Sequence, residues 1–155
     1  MRLNKTRKIL SITPISHIKN VENELKKIGK LKILNDPSDS EVKRIVHKFD
    51  AIFTNPNKSK VFIGKCILDN AKNLKAISTA STGTNHIDFD YAKKKRIKII
   101  SLKDEKKTIN KISSTAEHAL ALTLASLRNV VSSSKSVLLG QWDYLNFIGR
   151  QMNSL

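Results

Sequence analysis

The first hundred residues alternate between short apolar runs and longer segments in which apolar residues recur at helical spacing. The runs are rich in isoleucine and leucine, and turn-forming residues separate several of them from their neighbours. Runs of this length and composition are typical of buried strands. The pattern therefore predicts five strands, at residues 8–13, 31–34, 51–54, 74–79 and 97–101.

The segments between these runs have the spacing of amphipathic helices. Val21, Leu25 and Ile28 recur at helical spacing before Gly29, which predicts a helix that stops at this glycine. Strands that alternate with helices form βαβ units, and the strands of such units lie parallel in one sheet. The sequence therefore predicts an α/β fold with a flavodoxin-like, doubly wound sheet of five parallel strands.

Three helix starts are predicted from residues that can cap a helix N-terminus. Asp39 or Ser40 precedes the second helical segment, and Asp88 precedes the helix "FDYAKKK". Ser114 and Glu117 have the spacing of a capping box, in which each residue satisfies a backbone amide of the other. We expect a long helix to follow this last pair.

The last third of the chain has a different pattern. Residues 113–131 are apolar on more than one helical face, so the helix has to be covered by its own domain, another domain or another subunit. We expect a sheet domain over residues 1–104, followed by a helix and an extended arm over residues 105–155. Three aromatic residues are expected to anchor the arm: Trp142, Tyr144 and Phe147.

Composition adds a strong positive charge, with a net charge of +16 and a pI near 10.1. Such a charge is the footprint of nucleic-acid binding, which stays open as an alternative. Lysines are scattered over nearly every segment, and arginine is scarce. Arginine pairs and aromatic platforms that read bases are missing. We therefore interpret the charge as a solvated surface and expect no specific nucleic-acid partner.

Cysteine content and hydropathy bear on the compartment. Cys66 is the single cysteine, which excludes an internal disulfide and a multi-cysteine zinc site. As a free thiol it is expected to be buried. No apolar run reaches the ~18 residues of a membrane span, and the start lacks the pattern of a secretory signal. We expect a cytoplasmic protein with no membrane partner and no metal site.

A loop of small and hydroxyl residues leaves the end of the fourth predicted strand. Ligands of doubly wound sheets lie beyond the carboxyl ends of the strands. Ser81, Thr82, Gly83 and Thr84 are small enough for the backbone to approach an anion, and a positive φ at the glycine would let neighbouring amides converge. The predicted guest is a carboxylate or a phosphate. The alternative is an ordinary turn held by Asn85.

Three successive stretches resemble a known family when they are taken in order. They are "LKAISTASTGTNHIDFDYAKKKRIKIIS", "STAEHALALTLASLRNV" and "GQWDYLNFIG". Together they are similar to the D-isomer-specific 2-hydroxyacid dehydrogenases, and "GTNHIDFDYAKKK" is similar to the phosphoglycerate dehydrogenases among them. The resemblance covers about residues 60–150, whereas the first sixty residues agree only in their βα pattern.

This resemblance implies a function for both parts of the chain. The sheet domain would be the substrate-binding domain, with the substrate carboxylate on the backbone around Thr82, Gly83 and Thr84, and with Asn85 shaping the loop. The helix at 113–131 would begin the NAD-binding domain and pack across a homodimer. The substrate would be a small 2-hydroxy or 2-keto acid, bound weakly by this chain.

The resemblance also shows departures from the family pattern. The family continues into a strand and a G-x-G-x-x-G turn that binds NAD, but no two of the five glycines here lie two residues apart. The family's catalytic arginine, glutamate and histidine lie beyond these residues. Four histidines of this chain do not replace them: His17, His47, His86 and His118.

We therefore expect the N-terminal part of an NAD-dependent oxidoreductase that acts on the CH–OH group of a D-2-hydroxy acid. By itself this part is expected to be inactive and to bind no NAD, because the dinucleotide domain would be truncated. The alternative from another class is a noncatalytic module, either a carboxylate-binding domain or a dimerisation module that docks through residues 113–131.

Overall fold

The computed structural model describes residues 6–154. The chain divides into two compact units, of which the first ends at Ile109 and the second begins at Asn110. This division lies five residues beyond the one expected from the sequence, after residue 104. Within residues 6–154, no helix has both the length and the apolar character needed to cross a membrane.

The first unit is built on a sheet of five parallel strands in the order 2-1-3-4-5, which is the flavodoxin-like order. This finding confirms the predicted fold class. Each strand lies within the predicted run or within one residue of it. The strands are β1 (Lys8–Ser11), β2 (Lys30–Ile33), β3 (Ala51–Thr54), β4 (Ala76–Thr79) and β5 (Lys98–Ser101).

Helices connect the strands of the first unit, and short 3-10 turns follow the second helix and the fifth strand. The helices are α1 (Val21–Ile28), α2 (Asp39–Ile45), α3 (Lys65–Leu68), α4 (Phe89–Lys94) and α5 (Lys106–Ile109). The 3-10 turns lie at Val46–Lys48 and Leu102–Asp104.

The N-caps of these helices test the predicted helix starts. Asp88 caps α4 as predicted, because its carboxylate accepts a hydrogen bond from the Tyr91 amide at 3.0 Å. The prediction of Asp39 or Ser40 for α2 was wrong, since Ser38 is the cap and forms a full capping box with Glu41. Ser38, Asp39 and Ser40 are consecutive and can each cap a helix, so the sequence pattern does not distinguish between them.

One face of the sheet carries the main hydrophobic core. Leu10, Ile52 and Ile77 are almost completely buried there, and they form one cluster with Val42 of α2 and Ile67 of α3. Parallel sheets are covered on both faces, so their strands are apolar throughout. On this face the helices provide the cover.

The other face of the same sheet is less completely covered. Leu25 and Ile28 of α1 border an open groove of ≈870 Å³ whose floor includes Ile9, Phe53 and Ile100. Ile28 is 54% exposed, and no residue of α1 is buried. The amphipathic pattern that predicted this helix therefore marks a face that the first unit only partly buries.

Gly29 is required by a close approach and not by a left-handed backbone. Helix α1 stops before it as predicted, but its φ is 178°, which is extended backbone. A Cβ at this position would lie 2.4 Å from the carbonyl oxygen of Arg7. The glycine thus lets the chain enter β2 directly beside the residue that precedes β1.

Cys66 is exposed on the single turn of α3, so the expectation of a buried thiol was wrong. This turn directs its neighbours Ile67 and Leu68 into the core. A one-turn helix has only one inward face, and the cysteine lies outside it.

The second unit is mainly helical in the residues that the structure describes. It contains α6 (Ser114–Leu127), α7 (Val130–Leu138) and 3-10 turns at Tyr144–Phe147 and Met152–Ser154. The long helix is present but ends four residues before its predicted limit, because Asn129 adopts a left-handed φ of 53°. The arm is tied to the end of α6 by a bond from the Arg150 amide to the Leu127 carbonyl at 2.8 Å.

Two sequence expectations for the second unit were wrong. Ser113, not Ser114, precedes α6, and its hydroxyl bonds the Glu117 carboxylate instead of a backbone amide, so no capping box forms. The arm aromatics Trp142 and Tyr144 are 89% and 79% exposed, and they do not anchor the arm.

Candidate functional site

The candidate site lies where the chain leaves β4. In a parallel sheet, all carboxyl ends meet at one edge, and the bend at residues 80–82 carries the chain over that edge. Beneath the loop lies a row of buried hydroxyls in register across three strands, formed by Thr54, Thr79 and Ser101. The loop therefore rests on a polar layer and not on the apolar core.

Side-chain hydrogen bonds tie the loop to this layer. The Ser81 hydroxyl donates to the Gly83 carbonyl at 2.7 Å. The Ser81 and Thr79 hydroxyl oxygens are 2.8 Å apart, and the Thr79 oxygen lies 3.0 Å from Nε2 of His86. Four residues thus form one continuous set of hydrogen bonds that includes a main-chain carbonyl of the loop.

Backbone bonds fix two more peptide groups of the loop. The Ser81 carbonyl accepts from the Leu102 amide at 3.1 Å, and the Thr84 carbonyl accepts from the Ile87 amide at 2.9 Å. Because a trans peptide directs its N–H opposite to its C=O, each fixed carbonyl also fixes the direction of the next amide. The amides of residues 82–85 donate to no acceptor within the part of the chain that the structure describes.

The residues that carry these amides lie at the surface, where an anion could reach the backbone. Thr82, Gly83 and Asn85 are exposed, and Ser81 and Thr84 are half-buried. Amide groups of successive residues form anion-binding concavities when their donors are unpaired. The five residues predicted from the sequence are therefore brought together in one loop, and their role in binding stays a prediction.

The expected conformation of Gly83 was wrong. Gly140 is the one glycine with a positive φ among the residues described, so the loop does not use a left-handed glycine to gather its amides. A Cβ built on Gly83 would meet nothing within 4 Å. The turn is made instead by the bend before it and by the Ser81 hydroxyl, so the fold alone does not demand a glycine here.

His86 is the site residue that the sequence reasoning missed. Its ring is half-buried, and burial lowers the pKa of the imidazole below its usual 6.5. Its hydrogen-bond partner is the Thr79 hydroxyl and not a carboxylate. No local sequence pattern marks this pair, because the strand end and the loop end meet only in the folded structure.

The other three histidines do not join this cluster. His17, His47 and His118 are all exposed. Among the described residues, no group of three or more His, Cys, Asp or Glu side chains has the arrangement of a metal site. The chemistry of the loop therefore depends on main-chain amides, hydroxyls and one imidazole.

The residues present do not fit a dinucleotide site. NAD binds with its pyrophosphate at a helix N-terminus that follows a strand through a glycine-rich turn. In the second unit, α6 and α7 begin after Ser113 and Asn129, and no strand or glycine leads into either helix within the described residues. No chemical step is therefore derived through NAD for these residues.

Comparisons with known proteins agree on one family. Residues 9–138 match the family described as D-isomer specific 2-hydroxyacid dehydrogenase, catalytic domain. D-3-phosphoglycerate dehydrogenase of Archaeoglobus fulgidus is 32% identical over 146 residues, which are 94% of this chain and 26% of that protein. Formate dehydrogenase of Candida boidinii is 32% identical over 106 residues, which are 67% of this chain and 28% of that protein.

The chain thus spans about a quarter of the length of these curated relatives. Among solved structures, D-lactate dehydrogenase of Aquifex aeolicus in complex with NAD and lactic acid matches with a TM-score of 0.72 at 24% identity. This match covers 96% of the present chain and 42% of that one. At this identity the likeness shows the fold alone.

The lowered pKa of His86 predicts a pH-dependent stability. We expect the imidazole to titrate below 6.5 in ¹⁵N NMR spectra of the folded chain. Between the folded and unfolded pKa values, the unfolded chain binds more protons than the folded chain. Wild type should therefore lose stability relative to His86→Gln, which does not titrate, as the pH falls through 6.5. Chemical denaturation of both proteins at pH 7.5 and pH 5 measures this, and a constant difference would contradict it.

Proposed function

The chain belongs to the D-isomer specific 2-hydroxyacid dehydrogenase family, and we propose that its first unit binds the carboxylate of a D-2-hydroxy acid or 2-keto acid. The observation that carries this proposal is the loop after β4, where residues 82–85 are exposed or half-buried and their amides donate to no acceptor among the described residues. Main-chain donors of this kind suit a carboxylate because each oxygen accepts more than one hydrogen bond.

The names of the relatives support recognition of the carboxylate group itself. The names of the two curated relatives point to acids as different as phosphoglycerate and formate. These acids share a carboxylate and little else. A loop that binds with main-chain amides recognises this shared group and leaves the choice between acids to side chains elsewhere. The net charge of +16 favours the approach of any such anion.

The reaction proposed for the complete enzyme is hydride transfer between NAD and the carbon that bears the hydroxyl group. When bound, NAD supplies the hydride chemistry, and the role proposed for these residues is to bind and orient the acid. The dinucleotide part is not among the residues described, so this chain by itself is proposed to be inactive. A cytoplasmic location is part of the same proposal and is supported by the single free thiol.

The first test is a substitution at the glycine of the loop. Gly83→Val adds a side chain where a bound carboxylate would lie, and it meets no atom of the protein at Cβ. We expect the affinity for 3-phosphoglycerate and D-lactate to fall about tenfold or more, a loss of ~1.4 kcal/mol. The free energy of unfolding should change by less than about 0.5 kcal/mol, as for other exposed substitutions. NMR titration of the backbone amides and denaturant unfolding give the two quantities.

Thr82→Val is the matched control because it removes an exposed hydroxyl and keeps the amide. It should bind both acids within about twofold of wild type, well under the factor of ten that ~1.4 kcal/mol represents. Amide shifts that map outside residues 81–85, or an unchanged affinity in Gly83→Val, would show that the acid binds elsewhere.

The second test concerns the cofactor. Because the described residues supply no glycine-rich turn between a strand and a helix, we expect the purified chain to give no heat of NAD binding in calorimetry. NADH oxidation with 2-keto acids should likewise be absent. Saturable NAD binding at micromolar concentration would sink this part of the proposal and leave the carboxylate site untouched.

A second proposed role for the chain is self-association, favoured by a specific observation in the second unit. Helix α6 contains no buried residue, and Leu120, Leu122 and Leu124 are 51%, 57% and 40% exposed. Exposed apolar stretches of this kind are typical of interfaces. We therefore propose a homodimer through residues 113–131, which holds equally for an enzyme part and for a noncatalytic module. No specific nucleic-acid partner is included in this proposal.

Self-association is measured by sedimentation velocity over a range of concentrations. Wild type is expected to sediment as a dimer, and Leu120→Lys should shift it to the monomer because it places a charge in the apolar contact. Leu138→Lys is the control, since this residue is 83% exposed on α7 and outside the proposed interface. A wild-type chain that remains monomeric at every concentration would remove the proposal.

A further inference from the structure

We propose that His86 is a positioning residue of the carboxylate loop and that it acts as the neutral Nε2–H tautomer, heading a one-directional chain of hydrogen bonds that orients the peptide between Gly83 and Thr84. This inference rests on the proposed function, because it assigns a purpose to the geometry of that loop. Its evidence is the geometry of four groups that touch in sequence.

The direction of the chain follows from counting hydrogens. A carbonyl oxygen only accepts, so the Ser81 hydroxyl donates its single hydrogen to the Gly83 carbonyl at 2.7 Å. The Ser81 oxygen must then accept from the Thr79 hydroxyl, 2.8 Å away. Thr79 has thereby spent its own hydrogen, so its oxygen accepts from His86 at 3.0 Å. The hydrogen of the neutral imidazole is therefore on Nε2.

The end of this chain sets the direction of a candidate binding group. The Gly83 carbonyl and the Thr84 amide belong to one planar trans peptide, and they point in opposite directions. When the carbonyl is held toward Ser81, the Thr84 N–H points away from the hydroxyls. This amide is one of those that donate to no acceptor within the described residues.

The head of the chain is anchored independently of the loop. The His86 carbonyl accepts from the Ile63 amide at 2.9 Å, and Ile63 pairs with Ile87 as an isolated bridge. Thr79 is the last residue of β4 and is only 3% exposed. Both groups that impose the direction therefore belong to ordered structure, and the loop between them is what they hold.

The opposite assignment is excluded by the same groups. If Nε2 were the bare nitrogen, Thr79 would donate its hydrogen to it. The Thr79 and Ser81 oxygens would then lie 2.8 Å apart with no hydrogen between them, because the Ser81 hydrogen is on the Gly83 carbonyl. The buried Thr54 hydroxyl, opposite Thr79 on β3, provides no relief, because it makes no hydrogen bond among the described residues. Protonation of the ring adds a hydrogen at Nδ1 and preserves the donor at Nε2.

The tautomer is tested directly on the wild-type chain. Long-range ¹H–¹⁵N NMR spectra at pH 7.5 distinguish the protonated ring nitrogen from the bare one. We expect the hydrogen on Nε2 of His86. A ring protonated on Nδ1 alone would overturn the inference, whatever the chain binds.

The positioning role is tested with three variants and D-lactate as the probe, titrated by NMR. His86→Leu and Ser81→Ala each interrupt the chain of hydrogen bonds. Each should weaken binding roughly three- to tenfold, the range expected for one lost hydrogen bond. His86→Gln retains an N–H donor and should restore affinity to within about twofold of wild type. The Thr84 amide resonance should shift in the first two variants and stay near its wild-type position in the third.

The double variant Ser81→Ala/His86→Leu separates positioning from general support of the fold. The free-energy effects of substitutions within one chain of hydrogen bonds are not additive. The double variant should therefore bind about as weakly as either single variant. The inference would be overturned if the two fold-losses in affinity multiplied in the double variant, so that their free energies added. Unchanged affinity in His86→Leu would also overturn it. If His86→Leu does not fold, Ser81→Ala and the wild-type tautomer decide.

The two proposals fail in different ways. Absence of D-lactate, 3-phosphoglycerate and formate binding by wild type would overturn the proposed function. The hydrogen-bond chain would then be judged by the tautomer and by the Thr84 amide shift in Ser81→Ala. Binding with the wrong tautomer, or with additive losses, would overturn only the role of His86.

Discussion

The sheet's hydrogen-bond ladder continues beyond β4 on both sides, and the geometry of the loop depends on this continuation. The Ala80 amide donates to the Thr54 carbonyl at 2.9 Å on one side, and the Leu102 amide donates to the Ser81 carbonyl at 3.1 Å on the other. Buried backbone groups have to be paired, so these two bonds fix where the chain leaves the sheet. Beyond them, the amides of residues 82–85 donate to no acceptor among the described residues.

The five strands could be predicted because each is an apolar run whose burial is dictated by its own composition. The position of the loop could be predicted as well, since small residues after β4 fall at the edge where doubly wound sheets bind ligands. The contribution of Thr79 and His86 could not be predicted, because it arises when a strand end and a loop end meet in space. Gly29 is similar: a carbonyl 2.4 Å from its absent side chain is a long-range constraint that no local pattern reveals.

Gly83 shows the opposite relation between sequence and conformation. The sequence suggested a left-handed glycine, and the structure makes the turn without one. The Ser81 hydroxyl donates to the carbonyl of Gly83, two residues later, and this bond holds the turn without a positive φ. The shape of the turn therefore does not require a glycine, and the missing side chain leaves the backbone uncovered at this position. Backbone strain is therefore not needed to explain why the loop contains a glycine.

The strength of the proposed dimer depends on how much apolar surface the second unit can bury. Fully burying a leucine contributes ~1.5–3 kcal/mol, so the half-exposed leucines of α6 each offer about half of that. Association costs on the order of 4 kcal/mol or more in lost freedom before any contact is counted. Of the three, Leu120 and Leu124 share one face of α6, whereas Leu122 lies two residues from each and points to another side. Two leucines from each copy therefore make a dimer possible but weak. A tight dimer has to bury further apolar side chains, and Val130 and Val131 of α7 are the exposed ones next along the chain.

The chain of hydrogen bonds makes the geometry of the loop independent of the charge on His86. Because Nε2 of His86 carries a hydrogen in both the neutral and the protonated ring, the direction of the bonds to Thr79 and Ser81 does not depend on pH. The charge beside the loop does depend on pH, and burial favours the neutral ring by lowering the pKa of His86. The loop can thus hold one geometry while the charge beside it changes.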